Sequence, residues 1–162
     1  MSNPNNLAAN QPNLSVLQAH GSENPGIVPP QSGMDDLAVA KQMAIDVAIA
    51  ADDRKAKDIR ILQLSDVSYI ADYFVIATGF SNTQVRAIAR SIEVALEEKW
   101  DRCPLRTEGQ TEGTWILQDY GEVIVHIFMP DEREFYNLEA FWGHATEVEF
   151  DLDVLALAAR NP

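Results

Sequence analysis

The sequence is short of three things, and each shortage excludes something. It has one cysteine in 162 residues, Cys103, so no disulfide can form within the chain, as suits a reducing compartment. Cys103 precedes a proline and sits in no nucleophile motif, and we read it as structural or incidental. Positive charge is also scarce. Twelve Lys and Arg against twenty-five Asp and Glu give a net −13. Such a chain is repelled by phosphate backbones and anionic membranes, and it lacks the basic face of a direct nucleic-acid binder. Finally, no apolar run is long enough to span a bilayer. No basic residue precedes Lys41, so the start lacks the charged region of a secretory signal and the arginines of a transit peptide. A cytoplasmic location is expected.

What is present suits one folded domain. With 46% hydrophobic residues, a 162-residue chain can build one core but not two ordinary ones. The acidity is concentrated: from Asp101 onward, four basic residues face thirteen acidic ones. The complement of such a half is a basic protein surface, although acidity that merely keeps the chain soluble reads the same way. Residues 1–33 hold six asparagines, five of the eight prolines and a single charged residue, Glu23. With little to bury they are expected to form a disordered extension, in which Leu14, Val16 and Leu17 could make a short docking motif. The folded domain is expected over residues 34–146, followed by an acidic tail over 147–162.

Periodicity sets out the elements. Asp35 or Asp36 can cap a helix carrying Leu37, Ala40, Ala44, Val47, Ala48 and Ala51 at three- and four-residue spacing. The run Asp52 to Lys55 ends it. IRILQL (Ile59 to Leu64) and ADYFVIAT (Ala71 to Thr78) read as strands, the second apolar on both faces and so interior. Ser81 and Gln84 form a capping box for a helix that buries Val85, Ile88, Ala89, Ile92, Ala95 and Leu96 and ends near Trp100. A short strand over Leu105 to Glu108 precedes a hairpin, Thr114–Asp119 and Glu122–Phe128, turned at Tyr120-Gly121. Pro130 stops it. Asp131 and Glu134 make a second capping pair for a short helix with Phe135, Leu138 and Trp142 on one side. A last short helix is expected over Leu152 to Ala159. The order α-β-β-α-β-β-β-α predicts an α/β or α+β domain, a mixed sheet of about five strands flanked by helices.

Three kinds of chemistry can be tested against this order. Gly79-x-Ser81 at a strand-to-helix turn suggests a nucleotidyltransferase-like fold, in which such a pair holds phosphate. That reaction also needs converging metal carboxylates. The segment after the helix, CPLRTEG, has no aspartate, and the nearby Asp151-Leu152-Asp153 falls in the tail. Arg86 and Arg90 then read as surface charges and Ser81 as a helix cap. A divergent nucleotidyltransferase acting on a nucleotide or RNA end stays as the alternative function. For metals, His126 and His144 stand eighteen residues apart with no close Cys or His partner. A Ser81-His126-Asp119 device lacks the G-x-S-x-G elbow. His126 itself interrupts an apolar strand. Alternation places it with Ile124 and Phe128, and the expected state is a buried neutral histidine bonded to a carbonyl or a carboxylate.

Several segments together carry a resemblance. ADYFVIATGFSNTQVRAIA, Glu108-Gly109, WILQDYGEVIVHIF and R-x-FYNLEAFW, in that order, are similar to the ribosomal silencing factor (RsfS, Iojap-related) family. The likeness runs from about Asp36 to Ala145, leaving the extension and the tail outside. It implies a nucleotidyltransferase-like fold without that activity, no catalytic residues, no cofactor and no metal. The implied partner is the large ribosomal subunit, through its basic protein numbered fourteen, with little direct nucleic-acid contact. Joining of the small subunit is then blocked sterically and translation is damped when nutrients are scarce. Dimers off the ribosome are implied as well.

The residues offer a binding patch that suits such a partner. Trp115 is the expected anchor, with Asp119 on the same strand face, so that indole and carboxylate together meet Arg or Lys. The alternative for Trp115 is core packing. Ile116 beside it, Tyr120 at the turn and Tyr136 on the last helix extend the expected contact. Trp142 and Phe135 are expected in the core, and Glu108 with Arg133 as a structural pair.

Overall fold

A computed structural model describes residues 33–160. The expected extension, with Leu14, Val16 and Leu17, lies outside the described residues apart from Gly33. The alanine-rich stripe does become a helix, α1 (Gly33–Asp53), with Ala40, Ala44, Val47, Ala48 and Ala51 all buried. Asp35 and Asp36 lie inside its first turn, where their charge complements the helix dipole, and do not precede it as caps. The remaining elements are β1 (Lys57–Gln63), β2 (Tyr73–Thr78), α2 (Asn82–Trp100), β3 (Arg106–Glu108), β4 (Trp115–Asp119), β5 (Val123–Phe128), α3 (Pro130–Tyr136), α4 (Leu138–Phe141), β6 (Thr146–Val148) and α5 (Leu152–Arg160).

The strands form one mixed sheet in the order β3-β4-β5-β2-β1-β6. β2 and β5 run parallel at its centre, from Tyr73 opposite Val123 to Thr78 opposite Phe128. The other neighbours are antiparallel. Both central strands are buried at every position, β2 as its apolar run requires and β5 with His126 included. One face, carrying Val75, Ala77, Ile116, Val125 and Ile127, packs under α1 and α2. Small residues on α1 permit that approach. Lys99 Nζ (2.9 Å) and Trp100 Nε1 (2.8 Å) both bond Asp46, pinning the end of α2 to α1. The other face carries Leu62, Phe74, Ile76, Trp115, Leu117, Ile124 and Phe128. Its cover is thinner: Leu138 with the half-buried Ile70, Tyr136, Trp142 and Ala145.

The expected α+β fold stands, with differences in detail. The sixth strand, β6, is a three-residue edge piece, too short for alternation to reveal. Together with α5 it orders residues 146–160, the stretch read as an acidic tail with a short helix. The expected helix carrying Phe135, Leu138 and Trp142 is two helices, because Asn137 adopts φ +44° between α3 and α4. The Asp131–Glu134 capping pair does not form. Met129 precedes α3 without a side-chain bond, and Pro130 fills the first helical position, where its missing N–H costs nothing. The Ser81 cap is present, its Oγ accepting the Gln84 N–H at 3.0 Å. Gln84 reaches back to the Phe80 N–H (2.8 Å) and donates to the carbonyls of Arg54 and Lys55, so the cap also ties down the end of α1.

Candidate functional site

The expected patch was centred on Trp115, and here the structure corrects the sequence. Trp115 is 1% exposed. On β4 it shares a face with Leu117, and that face is the one covered by α3 and α4. Its ring lies 4.7 Å from Phe128 and 4.5 Å from Tyr136. The physical reason is area. An indole left in water would forfeit about 4–6 kcal/mol of apolar burial, and a lid arriving from α3 is available to cover it. Its Nε1–H donates to Nδ1 of His126 at 3.2 Å.

His126 is therefore buried and neutral as expected, but its partner is an indole, not a carbonyl or a carboxylate. Burial pushes its pKa from 6.5 down to about 3. With Nδ1 accepting, the ring proton sits on Nε2, which has no partner among the described residues. Phe74 packs edge-on at 4.6 Å and Phe128 lies 6.1 Å away.

The other expected contact residues separate. Ile116 and Tyr120 alternate to the opposite face and are buried beneath the helices, which removes both from any surface. Burial raises the Tyr120 phenol above its usual range. Asp119 stays half-exposed but is already engaged: it accepts the Gly121 N–H at 2.8 Å and lies 3.8 Å from Arg106. It stands about 13 Å along the strand from Trp115, so the two make no joint plate. The Glu108–Arg133 pair also fails. Glu108 lies 3.4 Å from Arg106. Arg133 is buried in its own cluster, bonding Glu139 (2.6 and 2.9 Å), the Asp58 carbonyl (2.6 Å) and Thr78 Oγ1 (2.8 Å), with the Asp58 carboxylate 3.4 Å away.

What reaches the surface is the lid. Phe135, expected in the core, is 80% exposed. The cause is Arg133. Once that side chain is drawn inward, a residue two positions on lies about 200° round the helix and must point out. Phe135 meets Tyr136 edge-on at 5.0 Å, and Tyr136 in turn covers Trp115. Burial first, and then the nearby charge of Glu132, raise the Tyr136 phenol above its ordinary value. Asp131, Glu132 and Glu134 share this short helix, and the charge of Arg133 is taken up by Glu139 and Asp58. An aromatic pair among carboxylates thus exists, on α3 and not on β4. Beyond α4, Trp142 is half-buried against Phe74 at 5.8 Å, and Phe141 is exposed beside it.

Two features were not foreseen. Arg86 clamps the loop between β3 and β4, donating to the carbonyls of Gln110 (3.0 Å) and Thr111 (2.8 Å). Gly109 has φ +84°, and a Cβ there would stand 1.8 Å from the Trp115 carbonyl oxygen, so the loop crosses β4 only with glycine at that point. The fragments of the enzymatic reading serve structure instead. Ser81 is a cap, and Asp151 Oδ1 accepts the Asp153 and Val154 N–H groups that open α5. Among the described residues no three His, Cys, Asp or Glu side chains are placed to hold a metal, and no helix is long and apolar enough to cross a membrane.

Known proteins match both the sequence and this geometry. A ribosomal silencing factor RsfS of Bacillus subtilis is 44% identical over 104 residues, covering 64% of this chain and 87% of its own. A chloroplastic protein Iojap of Zea mays is 37% identical over 142 residues, which is 85% of this chain but 61% of the longer maize protein. A crystal structure from Chromobacterium violaceum superposes with a TM-score of 0.60 at 36% identity, covering 70% of this chain and 91% of that one. The family described as ribosomal silencing factor during starvation matches residues 38–161, running on through β6 and α5 past the expected end of the likeness. Residues 38–161 include the two central strands, the His126–Trp115 bond and the aromatic lid, and on that match the chain belongs to the RsfS family.

Proposed function

We propose that this chain silences ribosomes in the cytoplasm by docking on the large subunit through its basic protein numbered fourteen, where its bulk keeps the small subunit from joining. No reaction is needed, and translation falls because paired subunits fall. The observation that carries this reading is the α3 surface: Phe135 and Tyr136 exposed or half-exposed among Asp131, Glu132 and Glu134 in a chain of net charge −13. Aromatic side chains supply contact area at low entropic cost, and the carboxylates suit Lys and Arg while disfavouring bare RNA. Trp115 contributes from beneath, as the floor on which Tyr136 rests.

Sucrose-gradient sedimentation with separated subunits tests the proposal. The protein is expected to travel with large subunits and to lower the yield of joined ribosomes. Phe135→Ala and Tyr136→Ala should each release it, since hot-spot aromatics cost about 2 kcal/mol or more on truncation. Wild-type co-sedimentation of both variants would remove this surface as the docking face. Off the ribosome, copies of the chain pair as the family resemblance implies, and equilibrium sedimentation of the free protein checks that.

A further inference from the structure

We infer that His126 is a positioning residue for docking: through Trp115 it sets the pose of the Tyr136 ring that α3 presents to the partner. This rests on the docking face proposed above.

The puzzle is why a histidine occupies this place at all. It is wholly buried on the central strand β5, among Phe74, Phe128 and Trp115, where a leucine or phenylalanine would suit the surroundings. It also strands a donor, because Nε2 finds no partner among the described residues. Packing alone therefore argues against it. What it supplies that no apolar side chain can is a directional acceptor out of reach of water. The Nδ1 atom takes the indole N–H of Trp115 at 3.2 Å, fixing how that ring is turned.

The turned indole then acts as a floor. Its ring contacts Phe128 at 4.7 Å and Tyr136 at 4.5 Å, with 44° between the Trp115 and Tyr136 planes. Tyr136 is the last residue of a seven-residue helix that ends at the left-handed Asn137, and its ring lies over the indole. Its pose is set by what lies under it. Phe135, edge-on at 5.0 Å, follows Tyr136. A run of contacts thus leads from a buried imidazole to an exposed aromatic pair, and a rigid aromatic binds better than one that must be ordered on arrival.

The test compares large-subunit binding of wild type, His126→Leu, His126→Gln, Trp115→Phe and Tyr136→Ala, each at a temperature where circular dichroism shows it folded. His126→Leu keeps the bulk and removes the acceptor. Trp115→Phe keeps a ring and removes the donor. Each should raise Kd by about tenfold. His126→Gln, whose amide oxygen can accept from the indole, should restore the wild-type value. The Trp115 indole N–H resonance should shift in His126→Leu and return in His126→Gln. A merely structural histidine would lower the melting temperature and leave Kd alone. If Tyr136→Ala weakens binding while His126→Leu and Trp115→Phe stay within about twofold of wild type, the positioning role is overturned and the docking face survives. If Tyr136→Ala itself binds like wild type, the docking face is wrong and the positioning role falls with it.

Discussion

Lowering the pH should cost this protein stability well before its carboxylates protonate, and the cause is one side chain. Burial holds His126 at a pKa of about 3, against 6.5 in an open chain. Above pH 6.5 the ring is neutral whether the chain is folded or not, and the native state has its full stability. Between 6.5 and 3 the unfolded chain binds a proton that the folded one refuses. Stability therefore falls as pH falls, by about 1.4 kcal/mol per unit once well below 6.5. From about pH 7.5 to about pH 5 the loss comes to about 2 kcal/mol, a large part of the 5–15 kcal/mol of a typical domain. Urea unfolding followed by circular dichroism at four pH values across this window measures it. Glu122 contributes at lower pH. Burial alone would raise its pKa, but the Arg102 guanidinium holds it below the usual value, so its stabilisation is lost only on further acidification. Asp72, raised by burial and then by Glu122, works in the opposite sense. The informative quantity is thus wild type minus His126→Gln, which cancels the acids. Parallel pH curves for the two proteins would show that position 126 does not titrate in this way.

Other expectations follow from burial and pairing. Trp115→Ala should lower unfolding free energy by about 3–5 kcal/mol, whereas Phe135→Ala should stay within about 0.5 kcal/mol; equal urea midpoints for the two would contradict the burial that separates them. Arg133→Leu strands Glu139 beside the Asp58 carbonyl and Thr78, and should cost about 3–5 kcal/mol. Arg133→Lys should recover only part of that, since an ammonium cannot reproduce the fork that bonds Glu139, Asp58 and Thr78 together; full recovery in thermal melts would mean that charge alone suffices.

The fold was legible where local chemistry decides it. ADYFVIAT was readable as an interior strand because both its faces are apolar, and the Ser81–Gln84 cap because both residues lie within one turn. The site was less legible because its cover comes from elsewhere in the chain. Nothing near Trp115 announces that Tyr136, twenty-one residues later, will lie on it. Phe135 was misplaced for a related reason. Its i, i+3, i+7 pattern with Leu138 and Trp142 presumes one continuous helix, and Asn137 breaks it. Arg133 was recognised as structural, but its partners Asp58 and Thr78 lie more than fifty positions away, and sequence spacing could not select them over Glu108.

The two outermost strands give the domain its manners in a crowded cell. β3 and β6 are each three residues long, and both carry charge, Arg106 and Glu108 on one margin and Glu147 on the other. A free row of amides this brief offers no template for a passing extended peptide, and ionic side chains on it discourage amyloid-like stacking. Encounters between copies must then be settled by side chains on the broad surfaces, where they stay reversible.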